Sequence, residues 1–190
     1  MIFRLTLKLQ KKIGLTSLPA IQVDKNGNPL LDWNLNLFTS NRVQYVILTN
    51  TASLYSMIMT GRGITNDKQL VHEALSCMHK FIIHSGNEVV YKNLIEPENE
   101  NIFFSKIIDR RISGSMNDLI FQTKIYLEHD PKSLFEVSYL INKSPMSYLN
   151  YSSPEKEFEK LCEIKDQPLI PGEKNNVFCI TDFRPMKAKQ

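Results

Sequence analysis

From Trp33 to Thr60 the apolar residues Leu35, Leu37, Val43, Tyr45, Ile47, Leu54 and Ile58 recur at even spacing, between turn signals at Ser40-Asn41 and Asn50-Thr51. A period of two sends alternate side chains to opposite faces, so the segment reads as three antiparallel strands. Directly after it, Asn66 or Asp67 opens a run in which Leu70, Val71, Ala74, Leu75, Met78, Phe81 and Ile82 keep helical spacing up to Gly86. A second helix is expected from Ser115, with Met116, Leu119, Ile120, Thr123 and Leu127 on its apolar side and Asp130-Pro131 as its stop. Strands and amphipathic helices in separate blocks define an α+β domain: an antiparallel β-meander packed by these two main helices, mainly on one face.

The rest of the chain fits around that frame. Ile2 to Leu5 reads as a short strand, followed by a Thr6-capped helix carrying Leu7, Leu9 and Ile13 and stopped by Gly14. Asn26-Gly27-Asn28-Pro29 is a turn cluster, and Asn101 to Ile107 reads as another strand. Ser133 to Ile141 fits helix and strand equally, whereas Ser153-Pro154-Glu155 starts a helix with Phe158 and Leu161 on its buried side. The core-building periodicities end near Leu161, which sets a single domain over 1–163 and a mostly irregular C-terminal extension over 164–190. Within that extension only Val177 to Ile180 is suited to pairing with a sheet edge.

Composition narrows the function classes. Lys and Arg total 23 against 20 acidic residues, a net +3 that is too mild for a dedicated nucleic-acid binder, so generic binding is expected to be weak and salt-sensitive. Cys77, Cys162 and Cys179 are odd in number and widely spaced, which suits a reducing cytoplasm rather than a disulfide framework. Charges at Arg4 and Lys8 argue against a signal peptide, and no stretch approaches the roughly 20 apolar residues of a membrane span.

The stretch Arg110-Arg111-Ile112-Ser113-Gly114-Ser115-Met116-Asn117-Asp118 stands out as a candidate anion site. Read as a helix entrance, it offers Ser115 or Ser113 as a cap, Gly114 as a turn residue and Asp118 against the positive end of the helix dipole. Arg110, Arg111, Gly114, Ser115 and Asn117 would then surround a phosphate at the free backbone N–H groups. The alternative is purely structural, with Arg111 paired to Asp109 or Asp118. Neither a Gly-Lys-Ser/Thr ending nor a Gly-x-Gly-x-x-Gly fingerprint accompanies it.

A second candidate is a nucleic-acid surface in which Trp33, Tyr45 and Tyr55 stack bases beside Arg42 and Arg62; core placement of the aromatics is its competitor. His72, His79 and His84 lack metal-ligand spacing, and no nucleophile–base pair emerges, so no metal, cofactor or catalytic residue is assigned.

Four pieces carry a family resemblance: Arg4-Leu5-Thr6; Trp33-Asn34-Leu35-Asn36-Leu37-Phe38 through Thr49-Asn50 with Leu54-Tyr55-Ser56; Gly114-Ser115-Met116-Asn117-Asp118-Leu119; and Asn142 with Pro145-Met146. Together they resemble a bacterial family catalogued as domain of unknown function number 6933, over roughly Met1 to Lys160. The resemblance implies a domain boundary and no assigned activity or catalytic residue. The expectation is therefore a non-enzymatic cytoplasmic binding or interaction module, taking a protein or a phosphate-bearing ligand and no membrane. The alternative is an enzyme or nucleic-acid-processing factor acting on a phosphate-containing substrate at the 110–118 loop.

Overall fold

Trp33, Leu35 and Leu37 face one way from their strand and Phe38 the other, and all four are buried. A sheet that is apolar on both faces must be covered on both faces. The structure, a computed structural model, describes residues 1–23, 27–129 and 132–165. Its strands are β1 (Ile2–Leu5), β2 (Asp32–Ser40), β3 (Val43–Asn50), β4 (Ser56–Thr60) and β5 (Phe103–Lys106), arranged β4-β3-β2-β1-β5. The helices are α1 (Leu7–Lys12), α2 (Asp67–His84), α3 (Glu88–Val90), α4 (Arg110–His129), α5 (Leu134–Asn142) and α6 (Pro154–Lys165).

The α+β class holds, with two corrections to its detail. β2, β3 and β4 are antiparallel neighbours, but β1 runs parallel to both β2 and β5, so the sheet is mixed. Parallel neighbours need a long crossover, and the chain supplies one containing α1 between β1 and β2. The second correction concerns the two main helices, which cover opposite faces. α2 packs Leu70, Ala74, Met78 and Phe81 against Phe3, Trp33, Leu35, Leu48 and Met57, with Leu9 of α1 and Phe158 of α6 in the same core. α4 brings Ile112, Met116, Leu119 and Ile120, and α5 brings Val137 and Ile141, to Phe38, Ile47 and Ile58 on the other face.

Polar ties close the places where apolar packing ends. Arg4 forms a buried two-pronged pair with Asp32, its Nε donating to Oδ1 at 2.7 Å and its Nη2 to Oδ2 at 3.0 Å. Its Nη1 also donates to the Ile21 carbonyl at 2.9 Å and to Ser105 Oγ at 3.3 Å. Asn50 organises the β3–β4 turn: its Oδ1 accepts the N–H groups of Ala52 and Ser53, while its Nδ2 donates to the Pro29 carbonyl.

At the β4 edge, side chains take the place of a sixth strand. Asn142 accepts the Ser56 N–H at 2.7 Å and donates to the Ser56 carbonyl at 2.6 Å. Ser138 Oγ accepts the Ile58 N–H at 3.0 Å. Both groups come from α5, so this helix satisfies backbone that an open edge would leave to water or to another chain.

Local signals explain most helix ends. Asn66 caps α2 by accepting the Gln69 N–H at 2.9 Å, and Ser133 with Glu136 forms a reciprocal capping box that decides the 133–141 stretch as helix. Thr6 precedes α1 without capping it; its hydroxyl bonds Asn36 Oδ1 instead. The stop expected at Asp130-Pro131 and the pairing expected of Val177 to Ile180 lie outside the described residues, and of the 164–190 extension only the end of α6 is described. No helix among the described residues is long and apolar enough to cross a membrane.

Candidate functional site

Helix α4 begins at Arg110, five residues earlier than the capping pattern suggests. Asp109 starts it, with Oδ1 accepting the Arg111 N–H at 2.8 Å and the Asp109 carbonyl accepting the Ser113 N–H at 3.3 Å. Aspartate just before a helix does what Ser113 or Ser115 was expected to do, and it also opposes the dipole. Gly114 is therefore inside the helix with no positive φ, Ser115 is buried, and Asn117 lies on the exposed side. Only Arg110 and Arg111 of the five anion-site residues remain at the helix start. Because a Cβ on Gly114 would meet nothing within 4 Å, Gly114→Ala is expected to raise stability by about 0.5–1 kcal/mol through reduced freedom of the unfolded chain. Urea unfolding checks this, and a loss of stability would contradict the helical placement.

Arg111 does belong to a cleft, of ≈ 800 Å³, bounded by the β3–β4 turn at Ala52, the start of α4, the 147–152 turn and α6. Tyr148, Asn150, Ser152, Glu157 and Lys160 line it too. Its charges come in pairs. Arg111 Nη2 donates to Asp109 Oδ2 at 2.9 Å, and the guanidinium carbon lies 5.6 Å from the centre of the Tyr148 ring. Lys160 Nζ donates to Glu157 Oε1 at 2.6 Å. The bond from Arg111 holds the Asp109 carboxyl below its usual range, helped by the backbone N–H; Lys160, and after it Ser152, do the same for Glu157. Both carboxylates are thus committed as acceptors, which suits neither to general-base work.

The turn itself is tightly built. Met146, buried among the α4 and α5 residues, donates its N–H to the Ser152 carbonyl at 3.0 Å and accepts the Tyr151 N–H at 2.9 Å. Inside that ring Asn150 and Tyr151 both adopt left-handed backbone, at φ 52° and 64°. Such conformations are uncommon outside glycine and persist only where the surroundings enforce them. Tyr151 is left 78 % exposed beside a smaller depression of ≈ 360 Å³ shared with Lys143, Glu155 and Lys156. Nothing in the periodicity announced this cleft; the only signal was the clustering of Ser, Tyr and Asn between two helices.

The other candidate surface comes apart. Trp33 is fully buried, its Nε1 donating to the Leu30 carbonyl at 2.7 Å, and Tyr55 is stacked on Phe158 with ring centres 4.2 Å apart. Burial pushes the Tyr55 hydroxyl well above its usual range. Neither ring can meet a base, whereas Arg42 and Arg62 are exposed. Among the histidines, His79 packs on Tyr91 and His84 meets the edge of Phe135.

The family described as "Domain of unknown function (DUF6933)" matches residues 2–157. No curated protein matches the chain. Among solved structures it is similar to a chain described as "CryoEM structure of simian T-cell lymphotropic virus intasome in complex with PP2A regulatory subunit B56 gamma", at 15% identity and a TM-score of 0.44. That likeness covers 90% of this chain and 67% of the other, at a level that does not establish a shared fold.

Proposed function

The chain belongs to the DUF6933 family, and we propose that it is a non-enzymatic interaction module that grips a peptide segment of a protein partner in the cleft between α4 and α6. The composition and rigidity of Ser147-Tyr148-Leu149-Asn150-Tyr151-Ser152 carry this reading. Tyrosine gives broad contact at low entropic cost, and serine and asparagine add adaptable hydrogen bonds, the mixture found in antibody binding loops. Neutral ion pairs on the walls favour backbone amides over a free anion. The thiol of Cys77 suits a reducing, cytoplasmic setting, and burial pushes it up to about 12, away from nucleophilic use.

Peptides selected against the protein from a displayed library test this. They are expected to lose about tenfold or more in affinity when Tyr148 or Lys160 is changed to alanine with the fold intact. Binders indifferent to both changes, or no binders at all, would overturn the reading.

A phosphate-bearing ligand is the second reading, because Arg111 and Lys160 both line the cleft and Arg110 is exposed beside them. It would have to displace Asp109 from the Arg111 fork. Titrating inorganic phosphate while following Arg111 by NMR separates the two readings. Saturation below about 1 mM, abolished in an Arg110→Ala, Arg111→Ala variant, supports the phosphate reading, and its absence supports the peptide one.

A further inference from the structure

We infer that the opposite end of the sheet, around Gln44, is a docking surface for the sugar–phosphate backbone of single-stranded nucleic acid. Three separate elements converge there. Lys12, in the last turn of α1, donates through Nζ to Gln44 Oε1 at 2.6 Å, so its charge is engaged by a neutral amide and not cancelled. The Gly61 N–H donates to the Gln44 carbonyl at 2.8 Å. A Cβ at residue 61 would come within 3.2 Å of the Gln44 carbonyl carbon and Leu37 Cδ1, so glycine lets the chain after β4 press close and set exposed Arg62 beside β3. Arg42 occupies the tight β2–β3 turn, where it and Asn41 have φ of 63° and 47°, two residues before Gln44. Lys8 and Lys11 extend the charge along the wet side of α1.

No carboxylate among the described residues is within ion-pair distance of Lys8, Lys11, Lys12, Arg42 or Arg62. Glu128 accepts from Ser40 Oγ at 3.1 Å beside the same turn and is committed to that bond. The contrast with the cleft end is direct, since there each cation that lines the cleft is paired. A modest net charge therefore conceals a segregated one.

Charge and exposed polar groups select the partner. Arg62 follows β4, Arg42 joins β2 to β3, and Lys12 reaches the same strand end from α1 through Gln44, so cations from three elements meet around one patch. A basic patch with exposed Asn41, Gln44 and Thr60 among its charges matches a flexible polyanion whose phosphates also accept hydrogen bonds. A lipid surface would want a broad apolar wedge beside the cations, and the patch offers only Leu7 of α1 and a part-exposed Val43, which are too few to make one.

The test uses the full chain and a fluorescent oligothymidylate of about 20 nucleotides at about 50 mM salt. Saturable binding is expected that weakens as salt rises. Arg42→Glu with Arg62→Glu should lower affinity about tenfold or more and flatten the log–log salt slope by about 1.4, at roughly 0.7 for each phosphate no longer neutralised. Lys8→Glu with Lys11→Glu should weaken it independently. Lys80→Glu with Lys92→Glu makes the same change in charge on α2 and just after α3, and should leave binding within about twofold. Equal losses in that control pair mean net charge alone, and overturn the proposal. So does the absence of binding at low salt, or binding to phosphatidylserine vesicles without binding to the oligonucleotide.

Discussion

Changing Asn142 to alanine is expected to destabilise the protein by about 3 kcal/mol or more, because it strips both backbone groups of Ser56 of their partners at once. Each buried polar group left without a partner costs about 1–3 kcal/mol, and Asn142 is only 2 % exposed. Asn142→Asp should be no rescue, since a carboxylate cannot donate to the Ser56 carbonyl. Ser138→Ala removes a single acceptor, for the Ile58 N–H, and should cost about 1 kcal/mol. Urea unfolding monitored by circular dichroism ranks the three. A loss below about 1 kcal/mol for Asn142→Ala would mean that water reaches the edge and the side chain is not what closes it.

Asp32→Ala is expected to be at least as damaging, about 3–5 kcal/mol, because it leaves the Arg4 guanidinium buried without its counter-charge. The companion expectation is sharper. Arg4→Met with Asp32→Leu removes both charges, so the double variant should be more stable than Asp32→Ala although it changes more atoms. If the double variant is the worse of the two, the Arg4 bonds to the Ile21 carbonyl and Ser105, and not the ion pair, hold the segment over β1 and β5.

The elements were legible where periodicity is strong. The alternation from Leu35 to Ile58 and the stripe from Leu70 to Ile82 fall on β2 to β4 and α2. Direction and layering were not legible, because four residues of β1 carry no mark of parallel pairing and Phe38 and Ile47 register a second apolar face only once the pleat is known. The α4 entrance misled for a different reason: Gly114 and Ser115 look like punctuation, yet Asp109 had already satisfied the helix start. The residues on which the family resemblance rests include Arg4, Asn50, Ser56 and Asn142. In the fold these are internal polar ties, so that part of the pattern records architecture and says little about chemistry. The cleft escaped notice because it depends on two left-handed residues, Asn150 and Tyr151, of types that sequence rules do not reserve for that geometry.

Strand β1 sits between β2 and β5, and Arg4 reaches Ser105 across 101 positions of sequence. Closing so long a loop costs entropy before any contact repays it, which slows folding relative to a protein built from local pairs. On the ribosome the antiparallel trio β2–β4 and the helix after it emerge with their partners already present, whereas β1 must wait for Phe103 to Lys106 to gain its second neighbour. Until then the far side of β1 is an open edge. The chain therefore carries a period of exposure in its own synthesis, set by topology and not by composition.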